Sequence, residues 1–169
     1  MSAAGNINHK FRLDGRAVLV AGAGRGIGRA CAVAMAHAGA QVWLMSRTQG
    51  ELDAAVAEIN RAGGKAHALV CDVTDAAAVK DAVAQLPRLD VLVNNAGTNI
   101  PEPFVNVSEA NLDHVLNLNI RAMFITAQAA AAPISPASSK LRMAIEATLV
   151  SGEYKNTTAE MVVMAFTKK

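Results

Sequence analysis

Charge, aromatic rings and cysteine are all scarce in this chain: 18% of its 169 residues are charged, 4% are aromatic and two are cysteines. The formal balance of +2, with Lys and Arg scattered rather than clustered, leaves no electrostatic footprint for nucleic acid or an anionic membrane surface. No stretch reaches the ~18 uninterrupted apolar residues of a membrane span, and Met1 to Lys10 contains no apolar signal segment, so a cytoplasmic location is expected. Cys31 and Cys71 sit in apolar segments without the close pairing of a redox motif and read as buried free thiols. His9, His37, His67 and His114 fall on different expected elements, so no metal site is expected.

What the chain does have is apolar material, 52% of its residues, enough for a sheet covered on both faces and for one domain with a real core. Four short apolar runs, Ala17–Ala21, Gln41–Met45, Ala66–Cys71 and Val91–Val93, end at Gly, Asp or Asn and predict buried parallel strands. Between them Gly26–Ala38, Glu51–Ala62 and Asp75–Leu86 carry apolar residues at helical spacing and predict crossover helices. Three successive βαβ units with right-handed crossovers predict a Rossmann-like, doubly wound parallel sheet in a three-layer αβα sandwich. A loop from Asn94 to Val107 then leads into a long helix from an N-cap at Ser108 to about Ala130.

Pro133 and Pro136 divide the expected dinucleotide-binding domain, residues 1–132, from a tail of different character, residues 133–169, expected to pack on the same domain. In the tail, Lys140–Val150 predicts a helix, and Thr157-x-x-Glu160 resembles a capping box before the apolar run Met161–Phe166.

The segment Gly22-Ala-Gly24-Arg25-Gly26-Ile27-Gly28 runs from the first strand straight into the first helix. A backbone that turns sharply and approaches a pyrophosphate cannot carry β-carbons at the contact points, and a helix N-terminus supplies free N–H groups and a partial positive charge. Gly22, Gly26 and Gly28 meet those needs. Asp72, at the carboxyl end of the third strand, lies where open α/β sheets bind ligands; it is equally well placed to start a helix together with Thr74 and Asp75. Asn94 and Asn95 can tie neighbouring strand ends together through their amides, while Ala96 and Gly97 leave room for a ribose and a nicotinamide. Past the second strand stand Ser46 and Arg47 rather than an acid, so no carboxylate there repels a ribose 2′-phosphate and Arg47 offers it a guanidinium fork, with Arg25 a second contact. NADP(H) is therefore expected over NAD(H); the plainer alternative is two solvated surface arginines.

The Gly22-x-x-x-Gly26-x-Gly28 spacing, Cys71-Asp72-Val73, Asn94-Asn95-Ala96-Gly97 and Asn119 in Leu116-Asn-Leu-Asn119 together resemble the short-chain dehydrogenases/reductases, in particular NADP-dependent 3-oxoacyl reductase-like members. The resemblance covers about Leu13 to Gln128. It implies an oxidoreductase moving hydride between NADP(H) and a small-molecule alcohol or ketone, nucleotide contacts at Gly22, Arg25, Gly26, Ile27, Gly28, Ser46, Arg47, Asp72, Val73, Asn95, Ala96 and Gly97, and a catalytic-relay role for Asn119. The family's proton donor, a Tyr-x-x-x-Lys pair, has no counterpart: the one tyrosine, Tyr154, is followed by Lys155 and has Thr158 where the lysine belongs. Ser138-Ser139-Lys140 faintly resembles the end of that motif, with Pro136 where the tyrosine belongs.

Family members are longer than this chain, so a truncated sheet is expected, with its fourth strand as an apolar edge. Met161–Phe166 is expected to cover that edge as an added strand, or association into a homo-oligomer to do so. Two functions remain open, an NADP(H)-dependent oxidoreductase and a non-catalytic dinucleotide-binding module from a truncated or rearranged relative.

Overall fold

Segments as apolar as Ala17–Ala21 and Gln41–Ser46 can be satisfied only inside a sheet protected on both faces, and their side chains, pointing alternately up and down, feed two separate cores. The computed structural model describes residues 12–131 and the backbone of residues 142–143 and 162–167. In it these segments are strands β1 and β2, followed by β3 (Lys65–Val70) and β4 (Val91–Asn94). All four are parallel, in the order β3-β2-β1-β4. The helices between them are α1 (Gly26–His37), α2 (Gln49–Arg61) and α3 (Ala76–Ala84). Beyond β4 come α4 (Glu109–Leu116) and α5 (Ala122–Ala131).

Val18, Val20, Val42 and Leu44 face Ala32 and Ala36 of α1 and Leu52, Ala55 and Ile59 of α2. Leu19, Met45 and Leu92 face Val79, Ala82 and Val83 of α3 and Ala122 and Ala130 of α5. These are the three layers expected of a Rossmann-like α/β fold. Helix starts follow the side-chain chemistry: the Asp75 carboxylate accepts from the N–H groups of Ala77 (2.9 Å) and Ala78 (3.0 Å), and the Ser108 hydroxyl accepts from Asn111 N–H (3.2 Å).

The structure departs from the expectation in several places. Strand β3 is the sheet's edge, and its outer positions, including His67 and Val70, are exposed rather than buried on both faces. The long helix is interrupted at Asn117–Arg121 by a π-helical turn between α4 and α5. Arg142–Met143, within the expected helix Lys140–Val150, is a two-residue strand, β5. Strand β6 (Val162–Thr167) covers the β4 edge, as expected of an added strand in this segment, but antiparallel, with Val93 opposite Val163 and Leu92 opposite Met164, and β5 pairs with it in turn. The sheet is thus a parallel four-stranded unit extended by two antiparallel strands. The capping box Thr157-x-x-Glu160 and the remainder of Lys140–Val150 lie outside the described residues. Among the described residues no helix is long and apolar enough to cross a membrane.

Asp90 ties the lower ends of β1 and β4 together. Its carboxylate is buried, accepts from Ala17 N–H (2.9 Å) and Arg88 Nη2 (2.6 Å), and lies 3.4 Å from Arg16 Nη1. Burial pushes its pKa up, but the Ala17 N–H, Arg88 and Arg16 together outweigh burial and hold it below the ordinary 3.8. A carboxyl group whose pKa is lower folded than unfolded contributes stability that is complete above the unfolded value and lost as pH falls through the folded one. Asp90→Ala, which leaves the Ala17 N–H without its acceptor, is expected to cost about 2–4 kcal/mol in urea unfolding at neutral pH. The gap between the two proteins should narrow as unfolding is repeated at pH values falling below 4; an equal gap at every pH would contradict this account.

Candidate nucleotide-binding cleft

At the carboxyl ends of the parallel strands the crossovers leave β1 in opposite directions, α1 and α2 to one face and α3 to the other, so a crevice opens above the junction of β1 and β4. Two backbones meet at its floor. Gly22 leaves β1 in the left-handed region at φ +72°, and a β-carbon on it would stand 2.8 Å from the Ala96 Cα. The Asn95 side-chain amide donates to the Gly22 carbonyl (3.1 Å), and Gly22 N–H donates to the Met45 carbonyl (2.8 Å). Gly28, in the first turn of α1, has no room for a β-carbon, which would press on the Gly22 carbonyl and lie 2.6 Å from Asn95 Nδ2. Gly22 and Gly26 line the crevice, whereas Gly28 lies behind it and lets α1 close on the turn. No acid occupies the first turn of α1, and its N-cap, Arg25, makes no side-chain capping bond, so among the described residues no side chain caps the N–H groups at this end of the helix, which borders the crevice.

The crevice holds about 550 Å³. Ile27, half exposed, and Leu118 supply apolar wall, and Val73, past the end of β3, and Asn95, Ala96 and Gly97, past the end of β4, complete the lining. Cys71 also lines it; burial, with smaller contributions from Asp72 and Asp75, pushes its thiol pKa up, which keeps it a neutral, weakly polar surface. Cys31, expected to be buried, is only partly so, because its position on α1 lies at the margin of the core. Neither cysteine is in a disulfide. Among the described residues no group of His, Cys, Asp and Glu has the arrangement of a metal site.

Asp72 lines the crevice and shapes the turn that precedes α3. One oxygen accepts from Thr74 N–H (2.9 Å) and from the Thr74 hydroxyl (2.8 Å), shaping the turn before α3, and the other faces Arg47 Nη1 at 3.8 Å on the crevice wall. The Thr74 N–H is the main influence and, with the Thr74 hydroxyl and Arg47, outweighs partial burial to hold this carboxyl below the ordinary range. Helix α3 itself is capped by Asp75.

The outer corner of the crevice, past β2, brings Ser46, Arg47 and Arg25 together as the sequence suggests, and adds three groups that sequence reasoning missed. Gly24 fits there only because it lacks a side chain, since a β-carbon would stand 2.9 Å from Ser46 Oγ. Thr48 donates its N–H to the same hydroxyl (3.3 Å). Glu51, in the first turn of α2, extends its carboxylate to within 3.8 Å of Arg25 Nε. In sequence Glu51 is an ordinary acid at a helix start, and only the packing of α2 against the glycine turn reveals its position. The corner is therefore not free of carboxylates, contrary to the expectation.

The two asparagines after β4 divide their work. Asn95 ties the ends of β1 and β4 as expected, whereas Asn94 donates to the Met123 carbonyl (2.7 Å) and anchors α5 instead of a strand end. Asn119 sits in the π-helical turn, where it donates to the Thr98 carbonyl (2.7 Å) and accepts from Thr98 N–H (2.8 Å). This two-point clamp fixes the loop beyond Gly97, while its neighbour Leu118 lines the crevice. Tyr154, Lys155 and Thr158, together with Pro136 and Ser138-Ser139-Lys140, lie outside the described residues.

This architecture recurs in known proteins. The chain is 39% identical over 130 residues to gluconate 5-dehydrogenase of Gluconobacter oxydans, covering 75% of this chain and 51% of that one. It is 34% identical over 162 residues to 7alpha-hydroxysteroid dehydrogenase of Escherichia coli, covering 94% and 62%. A crystal structure of a dehydrogenase/reductase from Sinorhizobium meliloti superposes with a TM-score of 0.71 at 35% identity, over 75% of this chain and 52% of that one. The chain thus spans about half the length of the relatives it matches. The short chain dehydrogenase profile matches residues 16–141, and with the crevice and its motifs in place the chain belongs to that oxidoreductase family.

Proposed function

We propose that the crevice binds NADP(H) and that the protein acts as a short-chain oxidoreductase on a small-molecule alcohol or ketone. The observation that carries the cofactor choice is the outer corner, where Arg25 and Arg47 flank Ser46 at the end of β2. Both guanidinium groups are largely exposed, so a 2′-phosphate can reach them without displacing packed structure. The fit of the remainder rests on the floor: a pyrophosphate needs bare backbone and unoccupied helix N–H groups, and Gly22, Gly26 and the start of α1 offer both. Asp72 and Val73 suit the adenine side, and Asn95, Ala96 and Gly97 the nicotinamide side. The bound nucleotide supplies hydride chemistry. The chain's own residues bind and orient it, and Asn119 holds the Thr98 backbone, which sets the loop at that end of the crevice.

A second reading, binding without turnover, draws on one specific feature. Nowhere in the 169 residues does a tyrosine precede a lysine by four positions, since the sole tyrosine is Tyr154 and Thr158 stands four residues on. Carbonyl reduction needs a proton donor, and an adjacent cation is the usual means of lowering a tyrosine's pKa toward neutrality. We propose further that residues 1–132 form the binding domain and that residues 133–169 pack against it.

Titration of the full chain with NADPH and NADH, followed by nucleotide fluorescence, should give tighter binding of NADPH. Arg47→Ala should weaken NADPH about 10–100-fold, the size of a lost charge-assisted hydrogen bond, with less than about threefold effect on NADH. Equal affinities in the parent protein, or equal losses in the variant, would remove the case for NADP(H). Gly28→Val should abolish binding of both nucleotides through collapse of the Gly22–Asn95 contact. NADPH absorbance followed against a panel of ketones separates the two functions: turnover supports the oxidoreductase, whereas binding without turnover supports the non-catalytic module.

A further inference from the structure

Among the described residues four charged side chains line the crevice, Arg25, Arg47, Glu51 and Asp72, and they form two opposed pairs, Arg25 with Glu51 and Arg47 with Asp72, each at 3.8 Å. The charges that these residues bring to the crevice wall are therefore balanced. Asp72 already commits one oxygen to Thr74, whereas Glu51, whose carboxylate lies against Gly24 and near Ser46, receives no hydrogen bond from any described residue. It is 38% exposed, enough to meet a ligand and too little for solvent to screen it completely. A ribose 2′-phosphate placed between the arginines brings about two negative charges toward this third one. A ribose hydroxyl brings none, and a carboxylate can accept its proton in a hydrogen bond.

We propose that Glu51 is a specificity-determining residue: it neutralises Arg25 and opposes a 2′-phosphate, so that the corner separates the two nicotinamide dinucleotides less sharply than its arginines alone would. This rests on the nucleotide-binding reading of the same crevice. The arrangement makes Glu51 a counterweight to Arg25 and Arg47, set by α2 rather than by the residue immediately after β2. Its effect is electrostatic and local, so it weakens in salt, and neutralising the side chain acts on one nucleotide and not the other.

The test is titration calorimetry of the full-length protein with NADP+ and with NAD+, for the parent chain, Glu51→Gln and Glu58→Gln. Glu58 lies on the same helix, pairs with Arg29 and does not line the crevice, so its replacement makes the same change in net charge elsewhere. Glu51→Gln should tighten NADP+ about five- to tenfold and change NAD+ less than about threefold, with the gain shrinking at ~0.5 M salt. Glu58→Gln should leave the ratio of affinities unchanged. An unchanged or weakened NADP+ affinity in Glu51→Gln, while the parent chain binds it, overturns the role of Glu51 and leaves the crevice assignment standing. A matching shift in Glu58→Gln also overturns it, as a global charge effect. Absence of binding of both nucleotides to the parent chain overturns the crevice assignment and this inference together.

Discussion

A carbonyl at Gly22 and an amide at Asn95 hold the ends of β1 and β4 within one hydrogen bond of each other, and the crevice depends on that contact. Three constraints converge on it. Gly22 must take a positive φ, the place its β-carbon would fill must be left to the Ala96 backbone, and Gly28 must let α1 settle against the same carbonyl. Any side chain at either glycine drives apart the elements that form the floor. The two cores beneath explain why the cost of such bare backbone is tolerated: Leu19, Leu44, Leu52 and Leu92 are fully buried, and truncating one residue of this kind typically costs about 2–5 kcal/mol. The sheet is anchored by its apolar interior, and its upper rim is free to be shaped by backbone.

Electrostatics on that rim is arranged by pairs rather than by an excess of one sign. Arg25 and Arg47 look in sequence like a positive corner, and in the fold each faces a carboxylate. Exposed ion pairs of this kind contribute little to stability, so their consequence lies in what a charged ligand must compete with when it arrives. The lower end of the sheet shows the contrasting case. Asp90 is buried, hydrogen-bonded to backbone and flanked by Arg16 and Arg88, and there the charges hold strands together.

Most of the fold was legible because its periodicities are strong. The unbroken apolar run of Ala17–Ala21, helical spacing in α1 to α3, and the glycines and asparagines at strand ends each have a direct geometric cause, and β1 to β4 and α1 to α3 differ from expectation by at most one or two residues at either end. What failed was information that sequence spacing does not carry. A parallel-sheet strand and an edge strand look alike until the direction of the next crossover is known, which is why β3 is more exposed than expected. The π-helical turn at Asn117–Arg121 preserves helical composition while inserting an extra residue, so a 3.6-residue period runs through it unnoticed. Glu51 joins the crevice through the packing of α2 on the glycine turn, a contact between residues 24 and 51 that neither segment announces.

The division of labour along the chain follows from these placements. Most crevice-lining groups come from the ends of β1, β2, β3 and β4, above the two cores on either face of the sheet. Asn119 lies on the interrupted helix beyond β4, whose α5 half packs on the same face of the sheet as α3, and its amide clamps Thr98. Within the π-helical turn Leu118 lines the crevice while the next side chain, Asn119, turns to the loop. The floor of the crevice therefore belongs to the parallel unit, whereas the loop at Thr98 and the wall at Leu118 depend on this helix being held in register with it. The antiparallel pairing of β6 on β4 bears on that register, because β4 carries the Asn94 amide that anchors α5 at Met123. Support for β4 on its outer edge is thus support for the helix beyond it, and the fourth strand is the element through which the floor of the crevice and that helix are mechanically joined.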